Sequence, residues 1–132
     1  MRFALLLGVA ACALALSGCG SSAPQRMADA TTRAVYSGDR DGVVSNFDDG
    51  LRAQVTREEI GAISDYMHGL GTYKGLQPTD SNADSGRYDY QANFDKGSML
   101  VQIRLDPGGK LAAYRVVPQS QGPATANNAG SS

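Results

Sequence analysis

A strict alternation of apolar and polar residues runs through the second half of the chain, between residues 87 and 94. One face of this segment carries four apolar side chains, which are Tyr88, Tyr90, Ala92 and Phe94. A period of two is that of a β-strand with one buried and one solvated face. The stretch therefore predicts a strand whose apolar face must be covered by another part of the chain.

Three further strand patterns accompany this one, at residues 73–76 before it and at residues 98–105 and 111–117 after it. The turns at residues 95–97 and 106–109 contain Asp, Gly and Pro and are too short for a crossover helix. Short turns between consecutive strands predict an antiparallel meander of four strands.

The first half of the chain has helical rather than strand periodicity. Thr56 and Glu59 have the spacing of a capping box, and an apolar stripe at helical spacing follows them: Ile60, Ile63, Met67 and Leu70. Two earlier amphipathic stretches lie within residues 27–35 and 41–51. We therefore predict an α+β fold, in which N-terminal helices pack on the apolar face of a curved four-stranded antiparallel sheet.

A basic residue, an apolar run and small residues precede this region, which is the order of a secretory signal peptide. The apolar run from Phe3 to Leu16 is shorter than the roughly 20 residues of a transmembrane helix. It ends in Leu16-Ser17-Gly18-Cys19, which closely resembles the bacterial lipobox. The resemblance implies cleavage after Gly18 and attachment of a lipid to the Cys19 thiol. The alternative is a plain secretory signal in which Cys19 is incidental.

These features divide the chain into four parts. We expect a lipoprotein signal peptide at residues 1–18, a lipidated tether at 19–25, a helix-plus-sheet domain at 26–118 and a disordered tail at 119–132, because that tail has neither charge nor large apolar groups. Lipidation would anchor the protein in the bacterial cell envelope. The absence of Asp after Cys19 favours, by resemblance alone, the outer membrane and a domain that faces the periplasm.

Charge and cysteine content narrow the classes of partner. The 12 basic and 13 acidic side chains give no large field of one sign, which disfavours a nucleic-acid partner. Cys12 would leave with the signal peptide, and the lipid would occupy the sulfur of Cys19. We therefore expect no disulfide, and a fold that depends on its hydrophobic core.

Three stretches carry a resemblance to a known family: the run from Asp41 to Leu51, the run from Thr56 to Ile60 with the helix end Gly69-Leu70-Gly71-Thr72-Tyr73, and the final hairpin from Phe94 to Val117. They resemble a bacterial domain of unknown function in the nuclear transport factor 2-like, or cystatin-like, superfamily. The resemblance implies an accessory or ligand-holding domain. The wider superfamily also contains small-molecule enzymes and homodimers, so fold alone does not decide the function.

Tyrosines are the candidate ligand-binding residues, because an amphipathic ring suits a small ligand with few polar groups. Four of them are candidates to line a cavity between the sheet and the helices, namely Tyr66, Tyr88, Tyr90 and Tyr114. The alternative is ordinary core packing with the hydroxyls at the rim.

Two other clusters have a simpler explanation. His68 lies three residues after Asp65 on a predicted helix, but the chain has no second histidine to complete a metal site. Asp80, Asn82 and Asp84 have the initial spacing of a calcium loop, without its glycine and its final glutamate. We therefore expect no metal site and no cofactor.

The sequence favours a non-catalytic envelope lipoprotein, whose domain binds a protein partner or a small ligand. The alternative is a small-molecule acid–base enzyme of the hydrolase or isomerase type, with Asp65 or His68 in a cone-shaped pocket. A homodimer that pairs its sheet faces is a further hypothesis.

Overall fold

The computed structural model describes residues 22–119, in which helices precede an antiparallel sheet, as the alternation and the capping box predict. The predicted signal peptide, Cys19 and residues 120–132 lie outside this range. The helices and strands have the following bounds: α1 Ala23–Tyr36, α2 Arg40–Val44, α3 Asp49–Gln54, α4 Arg57–Gly69, β1 Tyr73–Asn82, β2 Arg87–Phe94, β3 Ser98–Leu105 and β4 Leu111–Pro118.

The four strands form one antiparallel sheet in the order β1-β2-β3-β4. The register places Tyr90 opposite Val101 and Ala92 opposite Met99, so the apolar positions of β2 and β3 share one face. The inner positions of these two strands are buried: Tyr90, Ala92, Phe94, Met99, Val101 and Ile103. The predicted alternation is therefore confirmed, and the helices cover the face that it defines.

Strand β1 is longer than the sequence predicts. Residues 80–82, which lie beyond the strand predicted at 73–76, pair with β2, and only a 3-10 turn at Ala83–Ser85 remains between the strands. Residues 77–82 are exposed and include no large apolar residue, so the sequence shows no alternation of apolar and polar residues there. Pairing with β2 holds these residues in the strand conformation. Pro78 is tolerated because β1 is an edge strand.

Helix α1 begins three residues earlier than the predicted domain boundary. The Ser22 hydroxyl accepts a hydrogen bond from the Gln25 amide (3.3 Å), and Pro24 lies in the first turn. Both are typical of a helix start, because the cap satisfies a free amide and proline lacks one. Residues 23–25, assigned to the tether from sequence, are therefore helical.

The segment between α2 and α3 joins the free edge of the sheet. The Asp48 amide donates to the Leu111 carbonyl and the Leu111 amide donates to the Asn46 carbonyl, both at 2.8 Å. This short parallel bridge holds Phe47 against β4. Phe47 is 2% exposed and belongs to the core.

The capping box of α4 is confirmed. The Thr56 hydroxyl accepts from the Glu59 amide (3.1 Å), and the Glu59 carboxylate accepts from the Thr56 amide (3.0 Å). Ile60 and Met67 from the predicted apolar stripe are fully buried, whereas Ile63 and Leu70 are half-buried. This helix therefore closes one side of the core, with its stripe partly exposed at two positions.

A polar clamp fastens α1 to β1. Asp29 accepts from the Tyr73 hydroxyl (2.7 Å) and from Arg33 Nε (2.8 Å), and the Arg33 guanidinium lies over the Tyr73 ring at 5.1 Å. Burial first, and then the bond to Asp29, raises the pKa of Tyr73 far above its ordinary value. The phenol therefore stays protonated and donates at any physiological pH.

Candidate functional site

A cleft of about 390 Å³ opens on the helical side of the molecule, between the second half of α1, the short helices and α4. We call it the apolar cleft, and its lining is mainly aliphatic and aromatic: Val35, Val43, Phe47, Leu51, Gln54, Val55, Glu59, Ile60, Ala62, Ile63 and Tyr114. Helices α2 and α3 have only five and six residues. Such short helices cover the sheet incompletely, which leaves the core open at this point.

Tyr114 reaches the apolar cleft from β4 and is held by α1. Its hydroxyl lies 2.7 Å from Thr32 Oγ1, and Thr32 Oγ1 donates to the Ala28 carbonyl at 2.8 Å. The hydrogen of Thr32 is thus committed, so Tyr114 is the donor. Burial raises the pKa of Tyr114 well above its ordinary value. The ring therefore presents a neutral, fixed surface, with Phe47 at 6.1 Å between ring centroids.

Glu59 is the acidic group at the rim of this cleft. Its carboxylate accepts from the Thr56 amide and the Thr56 hydroxyl, each at 3.0 Å. The backbone bond, followed by the hydroxyl bond, lowers the pKa of Glu59 below its ordinary value. Glu59 is therefore ionised and engaged in capping α4, and a general base would have to give up both bonds.

A second cleft, of about 490 Å³, lies where the start of α1 meets the outer ends of β1 and β2. We call it the polar cleft, and its lining consists of Ser22, Gln25, Pro78, Thr79, Asp80, Ser81, Tyr88 and Tyr90. Gln25 Nε2 donates to the Leu76 carbonyl at 3.2 Å and joins α1 to the strand. Burial raises the pKa of Tyr90, and a hydrogen bond with Ser22 opposes that rise.

The four candidate tyrosines do not meet in one cavity. Tyr114 lines the apolar cleft, Tyr88 and Tyr90 line the polar cleft, and Tyr66 is 46% exposed on α4. Successive residues of a helix are rotated by about 100°, so Tyr66 points away from the face on which Met67 is buried. The aliphatic lining was not selected from the sequence. The sequence signal that could have indicated this lining was the run of short amphipathic helices ahead of α4.

His68 and Asp65 both lie outside the two clefts. The His68 ring stacks on Tyr36 with centroids 4.1 Å apart, and its Nδ1 lies 2.8 Å from the Ser64 carbonyl. Both His68 and Asp65 are exposed to solvent. These contacts pack the C-terminal end of α4 against α1, which is a structural role for His68.

The residues with calcium-loop spacing stabilise a turn instead. Asp80 accepts from the Ser81 amide (2.9 Å), and Asn82 accepts from the Ser85 amide (3.2 Å) and so caps the 3-10 turn. Within residues 22–119, no group of three or more His, Cys, Asp and Glu residues is placed to hold a metal ion.

Comparisons with protein-family models, with curated proteins and with solved structures gave no match. In the described part of the chain, no helix has the length and hydrophobicity to cross a membrane.

Proposed function

We propose that this chain is a lipid-anchored protein of the bacterial envelope, whose domain binds a small apolar ligand without chemical conversion. The lipid on Cys19 holds it in the outer membrane on the periplasmic side. The domain itself is assigned to the nuclear transport factor 2-like fold, an assignment supported by helices that precede and cover a four-stranded antiparallel meander.

The apolar cleft is the observation that carries this proposal. Ligand pockets measure about 300–1,000 Å³ and combine an apolar wall with a few fixed polar groups. The cleft has a volume of about 390 Å³, aliphatic walls from four helices and one phenol oriented by Thr32. A ligand of one to three fused rings, or a short alkyl chain, fits this volume and this lining.

The alternative of an acid–base enzyme has less support from the geometry. Asp65 and His68 are exposed and line neither cleft, and Glu59 is engaged in the capping box. Tyr114 is neutral at physiological pH because burial raises its pKa. A proton-transfer mechanism would need a group with a pKa near the working pH inside a cleft.

Binding can be measured with 1-aminoanthracene, a neutral apolar fluorophore, added to the secreted chain from residue 19 with Cys19→Ser. We expect saturable fluorescence enhancement at one site per chain. Ile63→Gln should weaken this binding by about tenfold, since it places an amide on the apolar wall. Tyr66→Gln, on the same helix but outside the lining, is the matched control and should leave the dissociation constant unchanged. Equal affinity in both variants would reject the apolar cleft as the site.

The anchor is tested separately in cells by metabolic labelling with palmitate. The natural chain should incorporate the label and sediment with outer membranes, because several acyl chains anchor a protein stably. Cys19→Ala should lose both properties. Label and membrane partition that survive this substitution would reject lipidation at Cys19.

A further inference from the structure

We propose that the lipid anchor holds one particular surface of the domain against the phospholipid headgroups: the polar cleft together with the first turn of α1. This inference rests on the proposed lipidation of Cys19. The partner is the headgroup layer of the bilayer itself.

The connection between anchor and domain is very short. Helix α1 starts at Ala23, and its cap Ser22 is fixed by the bond to the Gln25 amide. Three peptide units separate Cys19 from Ser22, and each spans 3.8 Å between α-carbons, so the reach is at most about 11 Å. If the tether extended to residue 25, as the sequence predicts, the connection would reach about twice as far. The helix start therefore brings the attachment point close to the membrane.

The connection enters the domain at the wall of the polar cleft, because Ser22 is one of the residues that line it. The neighbouring surface is made of exposed hydroxyl and carboxylate groups from Thr79, Ser81 and Asp80. Its one partly exposed aromatic ring is Tyr88, and tyrosine is typical of the layer where lipid and water meet. This chemistry suits contact with hydrated headgroups and does not suit insertion among acyl chains.

The opposite end of the molecule is held well away from the anchor. Helix α1 has 14 residues and rises about 21 Å, and at its end the Tyr36 hydroxyl donates to the Gly71 carbonyl. Helix α1 reaches the apolar cleft at Val35, which lies about 20 Å from Ser22 along the helix. A ligand would thus meet this cleft beyond the headgroup layer, on the aqueous side.

The experiment uses the complete lipidated protein in vesicles of phosphatidylethanolamine and phosphatidylglycerol. With the Cys19 sulfur acylated and Cys12 removed with the leader, one introduced cysteine supplies the one thiol for a nitroxide. Ser81→Cys labels the polar cleft, and Ser37→Cys, just beyond the end of α1, is the matched control; both sites are exposed. We measure spin-label relaxation caused by Ni²⁺ chelated to a small fraction of lipid headgroups.

We expect enhancement at Ser81 at least about fivefold that at Ser37, because α1 separates the two ends by about 21 Å. Equal enhancement in acylated protein would overturn this orientation and leave the anchor intact. Absence of acylation in the same sample would instead reject the proposed function.

An insertion between Gly20 and Ser21 tests the cause. About 20 Gly and Ser residues have a root-mean-square span near 25 Å, enough to let the domain turn over. The contrast between the two labels should then disappear. A contrast that survives the insertion would overturn the short connection as the reason for the orientation.

Discussion

The two clefts differ in what their walls contribute to the fold. The apolar cleft is lined by residues that also form the core, such as Phe47 and Ile60, which are 2% and 4% exposed. The polar cleft is lined mainly by the exposed part of β1, where residues 77–82 bury little. A ligand site built from core residues is rigid, but a substitution in its lining also changes the stability of the fold. A surface built on an edge strand can change without cost to stability.

The largest expected change in unfolding free energy comes from replacing one aromatic residue in each cleft, Phe47 in the apolar cleft and Tyr88 in the polar cleft. Phe47→Ala should lower the free energy of unfolding by about 3–5 kcal/mol, because a fully buried ring is replaced by a cavity. Tyr88→Ala should lower it by only about 1 kcal/mol, because Tyr88 is half-buried. Urea denaturation of both variants measures the difference. Similar losses would contradict the division between a core cleft and a surface cleft.

Two adjacent threonines of α1 offer a sharper test of the floor of the apolar cleft. Thr32→Val should lower the unfolding free energy by about 1–3 kcal/mol, since it leaves the buried Tyr114 hydroxyl without its acceptor. Thr31 Oγ1 is buried without a hydrogen-bond partner among the described residues. Thr31→Val should therefore be neutral or stabilise by about 1 kcal/mol. Equal losses in the two variants would show that Tyr114 does not depend on Thr32.

Glu59 lies at the rim of the apolar cleft and also caps α4. Its contribution to the unfolding free energy depends on pH. Its pKa in the folded protein lies below the ordinary value of 4.5, because the carboxylate is bonded to Thr56. The ionised form therefore stabilises the fold above pH 4.5, and this contribution is lost as the pH falls through the folded pKa. Glu59→Gln keeps an acceptor oxygen but removes the charge.

The difference in unfolding free energy between Glu59→Gln and the natural chain should be present at pH 7 and shrink as the pH falls below 4.5. Thermal unfolding between pH 7 and pH 3 measures it. A difference that grows on acidification would contradict the capping role of the carboxylate.

The smallest expected effect belongs to the polar cleft. Ser81→Ala should change the unfolding free energy by less than about 0.5 kcal/mol, as exposed substitutions do. The Ser81 side chain is exposed at the sheet edge, and its backbone amide keeps the bond to Asp80. Denaturation midpoints that move by several times this amount would show that the hairpin end contributes to the core.

Local chemistry made part of this fold predictable. The Thr56–Glu59 box and the alternation of β2 are satisfied within a few residues, so both were found where the sequence placed them. The extension of β1 to Asn82 was not, because its residues are held by pairing with β2 and not by their own pattern. The tether was overestimated because Ser22 acts as a cap only once α1 is formed.

The candidate site was predictable only in kind. The candidate tyrosines are divided between the clefts, with Tyr114 in the apolar cleft and Tyr88 and Tyr90 in the polar cleft. Which tyrosines share a cavity depends on contacts between residues far apart in the chain, such as the bond from Tyr114 to Thr32 across 82 positions. No sequence period encodes such a contact.

The sequence by itself determined the order of helices and strands, the face of the sheet that is buried and the position of the cysteine that we propose carries the lipid. These follow from period, capping and composition, which act over a few residues. Only the tertiary structure decided where the apolar and polar clefts lie, which side chains line each, and how close the domain starts to Cys19. These depend on where distant segments come to rest against one another, and that is fixed by packing.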